Sequence, residues 1–197
     1  MIFAFLDVES PGAVDEFFTE EEVREFRKTR YKVKKVAFPL VFEGMAQVAS
    51  DQWIGVTSAK RLMELKDAQL IRYNANTQRT LKRVVRGEQR FYRISLNKKS
   101  VGEIRKRMES DTYIPDDITL NVPVGSEFTY SNGTLKITSM EAFDIIDGYH
   151  RYIAMSQSSA TKDGFDYPME LRIVNFPEHK AQRFIFQKDQ KTLMKRK

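Results

Sequence analysis

The chain has 197 residues, of which 41% are hydrophobic and 12% aromatic, with 9 Gly, 6 Pro and no Cys. That is enough apolar material for one packed domain with a small appendage. It excludes wholesale disorder, a disulfide framework, thiolate catalysis and cysteine-ligated zinc. With only two histidines, His150 and His179, a multi-histidine metal centre is not expected, and the net charge of +6 favours an anionic partner.

The amino-terminal MIFAFLDVESPG predicts a strand over 1–8 that ends at Ser10-Pro11-Gly12. Its apolar run is too short to span a bilayer and has no basic region before it, so the chain reads as cytoplasmic, with no membrane partner. Residues 1–23 carry seven acids and no Lys or Arg. Thr19 and Glu22 have capping-box spacing, and Val23 with Phe26 predicts the apolar face of a helix that ends before Val33. KVAFPLVFE, residues 35–43, reads as extended, and Pro39 argues for an edge strand. Thr57 and Ser58 are N-cap candidates for a helix whose buried face is Ala59, Leu62, Met63, Leu65 and Ala68. Trp53, the only tryptophan, is expected in the core.

From Arg79 to Arg107 there are eleven Lys or Arg against Glu88 and Glu103. Asn74 and Asn76 mark a turn there, after which Thr77 is expected to cap a basic helix running toward Arg86. Residues 91–96 alternate as a strand, and Ser100 is the expected cap of a short helix over 101–109. This basic stretch reads either as a solvated helical surface or as a nucleic-acid surface, with Arg79, Lys82, Arg83, Arg86 and Arg90 as its candidate contacts. No groove-reading motif accompanies it.

YIPDDITLNV, residues 113–122, reads as a proline-marked turn leading into a strand. In EFTYSNGTLKIT, Asn132-Gly133 between alternating runs specifies a hairpin with a primed turn. Residues 143–146 form a short apolar strand entering Asp147-Gly148, and a helix is expected from about 149 to 156. A strand over 169–174, a helix over 179–186 and a basic tail complete the chain. Helices and strands are mixed without a regular alternation, which places the fold in the α+β class.

The segment FDIIDGYHRYIAM puts Asp147, Gly148, His150 and Arg151 where a strand gives way to a helix. Amides at a helix start are unpaired, Gly permits close backbone approach, and Arg supplies a planar fork for phosphate. The alternative on the same residues is structural: Asp147 caps the helix and pairs with Arg151, while His150 is a hydrogen-bonded packing residue.

DGYHR resembles the DGQHR motif of the ParB/sulfiredoxin-like superfamily, with Tyr149 in place of Gln. NANTQRTLKR (74–83) is similar to the QR-containing entry segment of DGQHR-domain proteins. YIPDDITLNV resembles their proline-containing strand, and ELRIVNFPEHKAQRFIFQKDQKTL (170–193) resembles the strand and helix that follow, with Asp189 where the family often has Asn. The resemblance implies a mixed sheet with surrounding helices over 71–197, with 1–70 an accessory region packed on it. It also implies a nucleotide or phosphate site at Gly148, His150 and Arg151, with Gln78 and Arg79 approaching from the earlier segment. Were a nucleoside triphosphate hydrolysed there, Asp147, His150 and Arg151 would be the catalytic set, with Asp147 ligating Mg²⁺. Lack of cysteine excludes sulfiredoxin chemistry as the family performs it.

Two functional classes follow: a DNA-associated regulator or defence- or phage-type protein with a nucleotide-binding DGYHR pocket, and an NTPase or small-molecule phosphotransferase. An interaction scaffold that has lost the pocket is a third. A homo-oligomer is compatible with each, and the basic end KTLMKRK reads as an arm or as the junction to a further domain.

Overall fold

The computed structural model describes residues 36–74, 82–86, 89–93, 96–158 and 166–194; of 82–86, 89–93 and 189–194 it describes the backbone alone. The chain divides into two units, Met1–Lys34 and Lys35–Lys197, and every described residue belongs to the second. The strand expected over 1–8 and the helix expected after Thr19 lie outside the described residues.

Three strands open the described fold: β1 (Leu40–Phe42), β2 (Ala46–Ala49) and β3 (Gln52–Ser58). Helix α1 (Ala59–Asp67) follows directly, because the Ser58 hydroxyl accepts the Arg61 amide at 3.1 Å and Ala59, Leu62 and Leu65 bury one face. Next come β4 (Ile71–Arg72), β5 (Lys82–Arg86), β6 (Gln89–Arg93) and α2 (Lys98–Glu109). The second half comprises β7 (Ile118–Asn121), β8 (Glu127–Ser131), β9 (Thr134–Ser139), β10 (Phe143–Asp147), α3 (Tyr149–Gln157), β11 (Pro168–Val174) and α4 (Glu178–Met194). The fold is mixed α+β, as expected.

A six-stranded mixed sheet of order β2-β3-β11-β7-β10-β4 organises the domain. β11 lies antiparallel to β3 over Pro168↔Ser58 to Val174↔Gln52 and parallel to β7 over Leu171↔Ile118 to Val174↔Asn121. The pairing of β3 with β11 means that the boundary expected at residue 70 does not divide the structure: residues 46–58 are strands of the same sheet as 71–174. A three-stranded sheet, β1-β9-β8, contains the expected hairpin, with Asn132 and Gly133 both at positive φ (50° and 75°) as a primed turn requires. β1 is its edge strand and begins immediately after Pro39.

The main core gathers Leu40, Trp53, Leu62, Ile118, Leu120, Phe143, Ile145, Leu171 and Ile173, all essentially inaccessible to solvent. Trp53 is in the core, meeting Phe128 edge-on with ring centroids 5.4 Å apart. The opposite face of the sheet is covered by α4: Ala181, Phe184 and Ile185 pack against Ile146, Val174 and Phe176. Ile145 and Ile146 serve different cores because successive side chains of a strand point to opposite faces of the sheet. Among the described residues no helix is long and apolar enough to cross a membrane.

Three local expectations are corrected. The basic helix expected to run toward Arg86 is instead the antiparallel hairpin β5–β6, with Lys82 opposite Arg93 and Val85 opposite Arg90. Val84 and Val85 stiffen the chain against a helix, and QRFYR supplies a partner strand. Helix α2 starts three residues early, capped by Asn97, whose side-chain oxygen accepts the Ser100 amide at 3.2 Å. The residues expected to begin the basic tail extend α4 to Met194. The Asn97 cap carries a test: Asn97→Ala should lower stability by about 1 kcal/mol in urea unfolding, whereas Ser100→Ala should stay within about 0.5 kcal/mol of wild type.

Candidate functional site

The β10–α3 turn is built around Gly148. This residue adopts φ +84°, and a Cβ there would lie 3.0 Å from the Asp117 carbonyl oxygen and from a side-chain carbon of Ile118. No other residue type fits both the left-handed backbone and the contact. Gly148 is also the residue preceding α3, and its carbonyl accepts the Tyr152 amide at 2.9 Å. Asp147 does not cap the helix in the usual way; its Oδ1 accepts the Gly148 amide at 2.8 Å.

Arg151, one turn into α3, reaches back over this turn. Its Nε and Nη2 donate to the Asp117 backbone carbonyl, and Nη1 lies 3.1 Å from Asp116 Oδ2. Nη2 also faces Asp117 Oδ1 and Asp147 Oδ2, each at 3.8 Å. From α4, Lys188 Nζ donates to Asp117 at 2.8 and 3.1 Å and lies 3.2 Å from Asp147 Oδ2. Three carboxylates and two cations thus share one node, with a formal charge of −1.

Burial works against the Asp117 carboxylate, but the Lys188 hydrogen bond and charge, then Arg151 and Thr119, outweigh it and hold its pKa below the ordinary 3.8. Burial likewise disfavours the Lys188 ammonium, and its bond to Asp117 with the charges of Asp147 and Asp117 raises its pKa above 10.5. Tyr149, in the position of the motif's Gln, packs against Tyr73 with ring centroids 4.9 Å apart. Burial, with Tyr73 beside it, pushes its phenol up to about 12, so it is a neutral packing residue at ordinary pH.

Of the expected site residues, Asp147, Gly148 and Arg151 meet at the node. His150 follows the same turn, but its Nε2 accepts the Asn97 amide at 3.0 Å, tying α3 to the start of α2. Gln78 and Arg79 lie outside the described residues. Lys82, Arg83, Arg86 and Arg90 lie on the β5–β6 hairpin. The donor set does not suit Mg²⁺: Asp147 gives one oxygen to Gly148 and the other to two cations. Among the described residues no group of three His, Cys, Asp or Glu is placed to hold a metal.

Sequence reasoning missed five residues, Asp117, Lys188, Asp144 and the two that bind Asp144, Arg72 and Asn74. Asp117 and Lys188 complete the node from positions 71 residues apart. Asp144, almost wholly buried, accepts Arg72 Nε at 2.7 Å and Asn74 Nδ2 at 3.0 Å, which anchors β4 and the start of the segment leading to Gln78. The adjacent acids after Pro115 were the available signal for Asp117; Lys188 had none.

No family model and no solved structure matches the chain. It is 28% identical over 189 residues to the SPbeta prophage-derived uncharacterized protein YopQ of Bacillus subtilis (strain 168), covering 88% of this chain and 41% of that protein. The chain therefore spans less than half the length of this curated relative.

Two outcomes are expected at the node. Gly148→Ala should cost roughly 1–3 kcal/mol in urea unfolding, because it forces a side chain into a left-handed backbone against Asp117. The stability contributed by the depressed Asp117 pKa is present above its unfolded value and lost as pH falls through the folded one. Asp117→Asn should therefore flatten the acid limb of the stability curve below the ordinary carboxylate value of 3.8, measured by urea unfolding at a series of acidic pH values.

Proposed function

We propose that the chain is a DNA-associated, phage-type protein of ParB/sulfiredoxin-like architecture. In this reading the β5–β6 hairpin and the start of α2 engage the phosphate backbone, and the β10–α3 turn holds a nucleotide phosphate. The prophage origin of the relative supports the biological setting.

The observation that carries the reading is the charge at the start of α2. Lys98 and Lys99 are the first two residues of the helix, both exposed, with no acid in the first turn. The helix dipole disfavours cations at that end by about 0.3–1 kcal/mol each. Among the described residues neither lysine has an ion pair, and neither do Lys106 and Arg107 further along the helix. The preceding hairpin adds five Lys or Arg in twelve residues, 82–93. The two lysines at the helix start oppose the fold of the isolated protein and become favourable against a polyanion. A two-stranded ribbon is also one of the elements that fit a DNA groove, although this hairpin carries no signature of base reading.

The expected behaviour couples stability to binding. Lys98→Ala/Lys99→Ala should raise the unfolding free energy slightly, by up to about 1 kcal/mol in urea, while weakening duplex binding about tenfold near 100 mM salt. Fluorescence anisotropy of a labelled duplex across a salt series should give a log–log slope steeper than about −3, corresponding to several neutralised phosphates. A salt-independent interaction, or unaltered affinity in the double variant, would remove the basis for the reading.

A further inference from the structure

Three donor types that hold a phosphate converge on one carboxylate of this protein. Asp147 accepts the Gly148 amide ahead of α3 at 2.8 Å, faces Lys188 Nζ at 3.2 Å and faces Arg151 Nη2 at 3.8 Å. An amide at a helix start, an ammonium and a guanidinium form the donor set expected of a phosphoryl-binding turn. We infer that the Asp147 carboxylate is a resident stand-in for a phosphoryl group: it occupies the anion site formed by Gly148, Arg151 and Lys188, and an incoming phosphate displaces it. This rests on the reading of the β10–α3 turn as a phosphate site and names both its second cation, Lys188, and its built-in competitor, Asp147.

The surrounding contacts fit a displaceable carboxylate. The Asp147 side chain is 32% exposed, which leaves it a route to solvent, whereas that of Asp117 is 13% exposed. Asp117 holds both cations independently of Asp147: its backbone carbonyl takes Arg151 Nε and Nη2, and its carboxylate takes Lys188 through both oxygens. When Asp147 swings out, Arg151 and Lys188 therefore stay aimed at the vacated place. Asp117 is the positioning residue and Asp147 the occupant. Asp116 pairs with Arg151 Nη1 from an exposed position and adds to the negative charge an incoming anion must overcome.

The sign of one substitution separates this from the roles a carboxylate usually has at a phosphate site. A metal ligand or a catalytic acid is needed for binding or turnover, so its removal weakens them. A competitor's removal strengthens binding. Asp147→Asn keeps an oxygen for the Gly148 amide while deleting the charge, and it should bind phosphate more tightly by about three- to tenfold, the size expected for one partly exposed charge at this range. Lys188→Gln should weaken binding by a similar factor.

Isothermal titration calorimetry of ATP, inorganic phosphate and a duplex without terminal phosphates decides the matter, using the full chain as wild type, Asp147→Asn, Asp147→Ser and Lys188→Gln. Circular dichroism verifies the fold, and Asp147→Ser stands in should Asp147→Asn not fold. Tighter ATP or inorganic phosphate binding in the Asp147 variants, with loss in Lys188→Gln, supports a resident carboxylate displaced by a terminal phosphate. The same pattern seen only with the duplex supports displacement by the backbone diester. Unchanged or weaker binding in folded Asp147 variants, with wild type still binding, overturns the inference and leaves the phosphate site standing. Should neither wild type nor the Asp147 variants bind any of the three, the phosphate reading of the turn falls and this inference with it.

Discussion

The contact of Gly148 with the Asp117–Ile118 backbone governs how the site is assembled. It presses the start of α3 onto the entry of β7, close enough that a single methyl group would meet a carbonyl oxygen. Because the two backbones touch, Arg151 can curl over the turn and take the Asp117 carbonyl with two of its donors. Lys188 then closes the node from α4, whose apolar residues are already seated on Ile146, Val174 and Phe176. Backbone packing sets the distances, and the charges settle into the positions it allows.

The protein carries two kinds of positive charge that behave differently. At the node, each cation faces carboxylates, and the cluster is negative overall. Partly buried pairs of this kind resist salt better than surface pairs and hold elements in place. At the start of α2, Lys98 and Lys99 sit where the helix dipole disfavours them, exposed and without acidic neighbours in the first turn. The net charge of +6 says nothing of this division; among the described residues, Asp116, Asp117 and Asp147 gather around Arg151 and Lys188.

Several elements were legible because their signals are local. Asn132-Gly133 supplies the two positive φ values a primed turn demands, and Ser58 stands immediately before an amphipathic run that needs a cap. The strand-to-helix change at Asp147-Gly148 follows from an apolar run ending at a glycine. Elsewhere local signals competed. KRVVR can be written on a helix or a strand, and its choice depends on QRFYR returning alongside it. Asn97 and Ser100 are both good caps, and the amide of Asn97 is claimed by His150 from a helix 53 residues away. The boundary expected near residue 70 was a lapse in resemblance, and β3 crosses it by pairing with β11.

The sequence by itself determined the mixed class, the hairpin, the Ser58 cap of α1, and the presence of Asp147, Gly148 and Arg151 at one turn. These depend on backbone preferences and spacing over a few residues. Only the tertiary structure decided which charges meet. Asp117 with Lys188 are 71 positions apart, and Arg72 with Asp144 are 72 apart. Neither residue of either pair carries a local mark of its partner, since an ion pair is selected by the packing of the elements that bear it. Whether Asp147 serves as a helix cap, a metal ligand or the occupant of an anion site depends on those distant cations, and the chain order does not encode it.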